Sequence, residues 1–443
     1  MNLPWSNRKS LLGWLVALAV LATASQASAY TLKTLYSFCA KLNCADGQEP
    51  IGPLLMDPSG NLFGVTSFAG KGTVFELSPD DRGGWKERVL HNFCFCADGL
   101  NPLGHVIQDT AGNLYGTAMG DPENCSSSGV CGIVYELLPS EQRTKWKFKV
   151  VYRFCHDAPN CRQGAIPVSG LTYLGAASGV SYDGKSPLYV ATNAGGANDG
   201  GAILELNPGE PRWRASVIHN SCCHSTPQAN LFMDASGDIY GVNKLRIFEL
   251  TPDIGKKHWT DVTLRKFCQP NNFVPCPKGA GAYPPMRDAG GSLLGVAGEG
   301  GNYGDHPDFN CQDLNHTGGC GVLYKLAGDG EKTKERVLYD FCSQDNCTDG
   351  AFPDPNLSMD STGNIYGTAR DGGANNCNFG CGVVFRWGKD GYHVLYNFCS
   401  ESNCSDGAIP LGGVIADASG NLFGVTVTGG NNNNAGTVYE LVP

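Results

Sequence analysis

Asp57-Pro58-Ser59-Gly60-Asn61-Leu62-Phe63-Gly64 and Asp109-Thr110-Ala111-Gly112-Asn113-Leu114-Tyr115-Gly116 are two copies of one short pattern. It returns at residues 234–241, 288–295, 360–367 and 417–424, and a degraded copy lies near residues 182–189, which makes seven units. An Asp that caps backbone N–H groups, followed by a Gly free to take positive φ, reads as a tight hairpin turn. The copies stand about 50 to 57 residues apart, except where insertions lengthen the interval. A repeat of that length implies a propeller, a solenoid or an array.

Outward from the turn, each unit reads as four short strands rich in Val, Ile, Leu, Tyr and Phe, punctuated by Gly, Pro and Asp. In the first unit these are residues 52–56, 62–66, 73–77 and 88–93. Four strands per unit is a propeller blade. The termini choose between a closed ring and an open solenoid. The chain ends at Thr437-Val438-Tyr439-Glu440-Leu441, a third strand with no fourth after it. It begins, past residue 29, with Thr31-Leu32-Lys33-Thr34-Leu35-Tyr36-Ser37-Phe38, which matches fourth strands such as Val394-Leu395-Tyr396-Asn397-Phe398. The expected fold is therefore all-β: a seven-bladed β-propeller of four-stranded blades, its ring closed by the N-terminal strand completing the last blade. Closure removes the exposed edges that invite aggregation.

The full unit runs from an aromatic strand ending in Phe-Cys, through Cys-x-Asp-Gly and Asp-x-x-Gly-Asn-Leu-Tyr-Gly-Thr, to Gly-Thr-Val-Phe-Glu-Leu. Over residues 35–443 this pattern resembles the GloVer tandem repeat of bacterial "choice-of-anchor" surface proteins. The resemblance implies an exported repeat protein. Relatives are expected to carry a C-terminal anchoring segment, whereas this sequence stops at Pro443 just after the last strand, so release into the periplasm or medium is expected.

Compartment is read from the first residues. Arg8-Lys9, an apolar run over residues 11–24 and Ala27-Ser28-Ala29 form the three parts of a secretory signal peptide. Residues 1–29 are thus expected to be removed, leaving residues 30–443 as a single propeller domain, and no later stretch is long and apolar enough to span a bilayer. The formal charge of −10 becomes more negative by two when Arg8 and Lys9 leave, which argues against nucleic-acid binding. A monomer is expected. All 20 cysteines lie beyond the leader, so a disulfide framework is the default for an oxidising compartment. Spacing pairs Cys39 with Cys44, Cys94 with Cys96, Cys125 with Cys131, Cys155 with Cys161, Cys268 with Cys276, Cys311 with Cys320, Cys342 with Cys347, Cys377 with Cys381, and Cys399 with Cys404. Cys222 and Cys223 are left as a vicinal bridge or two free thiols. Zinc would need four converging ligands, and each pair stands in its own repeat, so no metal site is assigned.

Strand alternation puts all the cysteine loops on one face of the ring, which is where stiffened loops would carry binding. On that face Asp46, Asp98, Asp349 and Asp406 each precede a Gly, and a ring of acids at the channel mouth would suit calcium or sugar hydroxyls. The alternative is that Asp-Gly only forms the turn into the first strand. An insert at residues 302–319 adds Asp305, His306, Asp308, Asp313 and His316, side chains capable of metal binding or acid–base work, without a recognised spacing. Phosphate-loop and serine-hydrolase motifs are absent. The expected function is a non-catalytic extracellular binding module for carbohydrate or a surface protein, with no cofactor unless calcium. The alternative is an extracellular propeller hydrolase or lyase acting on a polysaccharide or lactone.

Overall fold

The computed structural model describes residues 30–443 apart from residues 68–71, 95–97, 121–130, 156–159, 210–211, 222–229, 244–245, 256–257, 268–275, 284, 303–304, 307–308, 312–318, 329–331 and 375–379. The expected leader, residues 1–29, lies outside them. The described chain is all-β, with only single 3-10 turns besides its strands. Blade 1 consists of Pro50–Met56, Leu62–Thr66, Gly72–Pro79 and Trp85–Phe93, each strand antiparallel to the next. Five further blades follow in chain order, their inner strands starting at Leu100, Ala165, Phe232, Ala280 and Ala351. In blades 2, 5 and 6 the inner strand is broken into two pieces.

Blade 7 joins the two ends of the chain. Thr31–Ser37 pairs with Thr437–Val442, from Thr31 opposite Val442 to Ser37 opposite Thr437. The pairing of third and fourth strands carries a bulge at the same apolar position in every blade: Leu35, Leu90, Val151, Ile218, Leu264, Leu338 and Leu395. An extra residue bends a strand and sharpens its twist. Because the N-terminal strand carries that bulge too, it is a fourth strand in detail and not only in composition.

Apolar side chains gather between consecutive blades, in seven clusters that follow the ring around. The repeat's Gly is explained there. Gly64, Gly116, Gly241, Gly295, Gly367 and Gly424 each face an aromatic of the third strand, respectively Phe75, Tyr135, Phe248, Tyr324, Phe385 and Tyr439. A methyl group on Gly367 would sit 2.6 Å from the Phe385 ring, so the aromatic lies where a side chain would be. Blade 3 makes the opposite exchange, with Val190 facing Leu204. Volume is shared differently across the pair, as close packing requires.

The Asp turns are equally regular. Asp57 Oδ1 accepts from the N–H groups of Ser59 and Asn61 at 2.9 and 3.0 Å, and Oδ2 accepts from Asn61 Nδ2 at 3.0 Å. Asp109, Asp360 and Asp417 repeat this with Asn113, Asn364 and Asn421. Where the Asn is replaced, another donor takes Oδ2. Arg287 reaches Asp234 from the neighbouring blade at 2.5 Å, and Lys325 reaches Asp288 at 2.7 Å.

Candidate functional site

Connections from a fourth strand to the next first strand, and from second to third strands, emerge on one face; the Asp turns emerge on the other. Cys39–Cys44, Cys155–Cys161, Cys311–Cys320, Cys342–Cys347 and Cys399–Cys404 are bridged on the first face, as spacing predicts. Cys94, Cys131, Cys276 and Cys381 are also disulfide-bonded. The partners expected for them, Cys96, Cys125, Cys268 and Cys377, lie outside the described residues, as do Cys222 and Cys223. One expectation needs correction: the bridges do not all stand apart. The sulfurs of Cys311, Cys320, Cys342 and Cys347 lie within 4.8 Å of one another, and so do those of Cys381, Cys399 and Cys404.

The acids of this face turn inward. Asp46, Asp349 and Asp406 have no solvent exposure. Asp46 accepts from Tyr36 Oη at 2.7 Å and from the N–H groups of Ala40 and Lys41 at 2.8 and 3.1 Å. Asp349 accepts from Tyr339 Oη, from Ser343 N–H and Oγ, and from Gln344 N–H. Asp406 holds the same set through Tyr396, Ser400 and Glu401. In blade 3 Gln163 takes the Asp position, accepting from Tyr152 Oη at 2.9 Å. Burial and then the bond to Asp46 push the Tyr36 hydroxyl far above its ordinary range, so it acts as a donor. Asp98 is the most open of the four, and faces His91 Nε2 at 2.9 Å. These carboxylates brace the cysteine loops from within. In the insert, the backbones of Asp305 and His306 pair with Asn310 and Phe309 as a two-stranded hairpin, while Asp308, Asp313 and His316 lie outside the described residues.

The blades differ most along the axis. Four residues before each turn Asp stand Pro53, His105, Asn230, Asn356 and Gly413, and strand register puts Gly170 at the same place in blade 3. They close the channel. Gly170 N–H donates to Asn230 Oδ1 at 2.7 Å, Asn230 Nδ2 donates to Asn356 Oδ1 at 3.1 Å, and Gly412 N–H donates to Asp354 Oδ2 at 3.0 Å. The His105 ring lies over Gly170, where any side chain would collide with it.

On the turn side of this plug lies a cavity of about 700 Å³, walled by blades 1, 2, 3, 4 and 7. Its lining is mainly alkyl, including Leu55, Met56, Ile107, Leu171, Phe232 and Met233. A smaller adjoining space of about 220 Å³ shares Pro53, Leu231 and Phe232 and continues to blades 5 and 6. Three buried polar atoms on these walls have no hydrogen-bond partner: His105 Nδ1, Gln108 Nε2 and Ser358 Oγ. Burial, opposed by a backbone hydrogen bond with Leu171, brings His105 down to about 4, so its imidazole is neutral at ordinary pH. Asp57 and Asp417 reach the rim, but both are held by their own turns. One wall has no counterpart elsewhere among the described residues. Between the inner and second strands of blade 3, an insertion carrying the 3-10 turn Ala176–Ser178 lines the cavity with Tyr173, Ala176, Ala177 and Val180, and leaves Leu174 and Val180 at least half exposed.

This site was missed by reading the cysteine loops as the working face. The available signal was the long interval between the Asp109 and Asp234 turns, together with the variable residue four before each turn Asp. Another cavity, of about 670 Å³ between blades 5 and 6, has the ion pairs Asp288–Lys325 and Arg386–Asp390 in its lining.

No curated protein matches the chain in sequence. Among solved structures it is similar to virginiamycin B lyase from Staphylococcus aureus, at 10% identity over 94% of this chain and 99% of that one, with a TM-score of 0.49. It is similar to polysaccharide lyase Uly1 at 10% identity, covering 92% of each chain with a TM-score of 0.49. The WD40 propeller domain of Doa1 shares 13% identity over 93% of this chain and 97% of that one, with a TM-score of 0.47. Such distant likenesses say nothing about activity. Residues 271–443, which hold blades 5 and 6 and the first three strands of blade 7, match the Gloeobacter/Verrucomicrobia repeat, and the turn and cysteine-loop pattern of that stretch also occurs in the blades before it.

Proposed function

We propose that this propeller is a non-catalytic recognition module of an oxidising compartment, and that its ligand seats in the axial cavity on the turn face. The observation that carries the reading is the cavity itself: about 700 Å³ and mainly alkyl, with the polar residues His105, Gln108 and Thr172 in its walls. A concave apolar site with a few converging polar groups is the usual form of a small-molecule site. The ligand it fits is an uncharged molecule with an apolar body. Acid–base catalysis would need a second free ionisable group beside His105. Of the others lining the cavity, Asp57 and Asp417 serve their turns, and Tyr173 donates to the Val180 carbonyl. The disulfides fit an exported protein.

The test is a thermal-shift panel on the oxidised protein using uncharged aryl glycosides, alkyl glycosides and lactones, beside a glycan array run with calcium and then with chelator. At least one uncharged compound should raise the melting temperature of the wild type and not of Ala177→Trp, which fills the cavity from its loop wall. Equal shifts in both proteins, or array binding that Ala177→Trp leaves intact, would overturn the axial site. Turnover of any compound would replace the module by the hydrolase or lyase reading.

A further inference from the structure

Cys311 and Cys320 belong to the connection between the second and third strands of blade 5, and Cys342 and Cys347 to the connection from blade 5 to blade 6. The two bridges meet where the loops fold against each other. All four sulfurs are buried and lie within 4.8 Å of one another. In a tetrahedral tetrathiolate zinc site, Zn–S bonds of about 2.3 Å hold the sulfurs roughly 3.8 Å apart. Between the two bridges the sulfurs therefore stand within reach of one zinc ion, while the two sulfurs of each bridge move apart from bonding distance when it opens.

Hydrogen bonds hold the loop frame in addition to the bridges. Phe352 N–H donates to the Cys320 carbonyl at 2.8 Å, Cys342 N–H to Gly350 at 3.0 Å, and Gly373 N–H to Cys347 at 2.9 Å. Asp349 ties Tyr339, Ser343 and Gln344 across the mouth of the same loop. Phe341, Val296 and Val383 pack around the sulfurs. Opening the S–S bonds thus frees the sulfurs while the backbones of Cys320, Cys342 and Cys347 stay held. By contrast, Cys39 and Cys44 form a bridge with no second bridge beside it among the described residues.

We propose that Cys311, Cys320, Cys342 and Cys347 form a two-state site, two disulfides when oxidised and a tetrathiolate zinc centre when reduced. Two molecules of a dithiol reductant convert the two bridges to four thiols, each becoming a cyclic disulfide. The four thiols then release four protons as they bind one Zn²⁺, leaving a centre of net charge −2. Thiolates are the form in which cysteine binds zinc. In the metal form the two loops are joined to each other, whereas in the disulfide form each is closed on itself.

The experiment uses the full protein reduced anaerobically with a dithiol, freed of reductant, and alkylated with iodoacetamide with and without one to two equivalents of zinc. Peptide mass mapping should show Cys311, Cys320, Cys342 and Cys347 protected together by zinc, with Cys39 and Cys44 alkylated under both conditions. Cobalt in place of zinc should give the visible ligand-field absorption of a tetrahedral thiolate site. In Cys311→Ser/Cys320→Ser, Cys342 and Cys347 should lose their protection. A variant that fails to fold is replaced by Cys342→Ser/Cys347→Ser, read at Cys311 and Cys320. Alkylation of the four residues regardless of zinc, protection that survives in the double variant, or loss of the β circular-dichroism signal on reduction would overturn the proposal.

Discussion

At the scale of single residues, the repeat is a set of exchanges that keep each contact satisfied. Gly367 and Phe385 in blade 6 do the work of Val190 and Leu204 in blade 3. Gly367→Ala would press a methyl group into the Phe385 ring and Leu357, and overpacking of this kind costs about 1–3 kcal/mol, read as a lower midpoint in urea at unchanged slope. The turn acids make a sharper case. Burial opposes ionisation of Asp288, but the bond from Lys325 and the turn N–H groups bring it below its ordinary range. Lys325→Ala should cost about 1 kcal/mol, because Oδ2 loses its donor. Adding Ser292→Asn should restore most of that loss, since Asn at this turn position supplies the donor in blades 1, 2, 6 and 7. Failure of the second change to rescue the first would mean that Lys325 acts through something other than the turn.

At the scale of elements, the N-terminal strand is a fourth strand placed at the start of the chain. Phe38 is fully buried in the cluster between blades 7 and 1, and Leu35 and Tyr36 pack against it. Deleting residues 30–38 removes three large apolar contacts, each worth about 1.5–3 kcal/mol, and exposes the edge at Thr437–Val442. A fall in stability of roughly 5 kcal/mol is expected on that basis, with a matching drop in melting temperature. An unchanged melting temperature would show that the ring does not need this closure. The cysteine loops belong to the same scale. With Asp46, Asp349 and Asp406 bracing them from inside, they are preformed by hydrogen bonds as well as by sulfur.

At the scale of the whole molecule, seven similar blades leave one place where they differ together, the axis. His105 is neutral there because burial brings it down to about 4. Above about pH 6.5, the ordinary histidine value, neither folded nor unfolded chain protonates it, and its contribution to stability is complete. Between about 6.5 and 4 the unfolded chain takes up a proton that the folded chain refuses, so stability falls as pH falls, by about 1–3 kcal/mol. Burial lowers His91 and His219 as well and adds to this trend, while it raises Asp354 and Asp371 and works against it. The share of His105 is therefore the difference between wild type and His105→Gln in urea midpoints across pH 4 to 7. Parallel curves would mean that the ring is open to solvent.

The period, the turn chemistry and the strand patterns are local in sequence, so hairpins, blade number and the permuted closure are all legible in the residues themselves. Residues 62–66 were expected as the second strand and are a strand, and the fourth strand expected at residues 88–93 extends only three residues earlier, to Trp85. The five cysteine pairs described at both ends were legible for the same reason, since each closes a loop of a few residues. Where a side chain points is another matter. Asp46 next to Gly47 reads alike whether its carboxylate rings a channel or caps its own loop, and the nearby Tyr36 hydroxyl decides it. Cys320 and Cys342 are 22 positions apart, in different connections, and only the folding of one loop onto the other brings their sulfurs together. His105, Gly170, Asn230, Asn356 and Gly413 lie up to about 300 residues apart and meet because the ring closes. Local hydrogen bonding and periodicity are properties of a short segment and show in its residues, whereas the axial cavity arises from the convergence of distant blades and exists only in the folded ring.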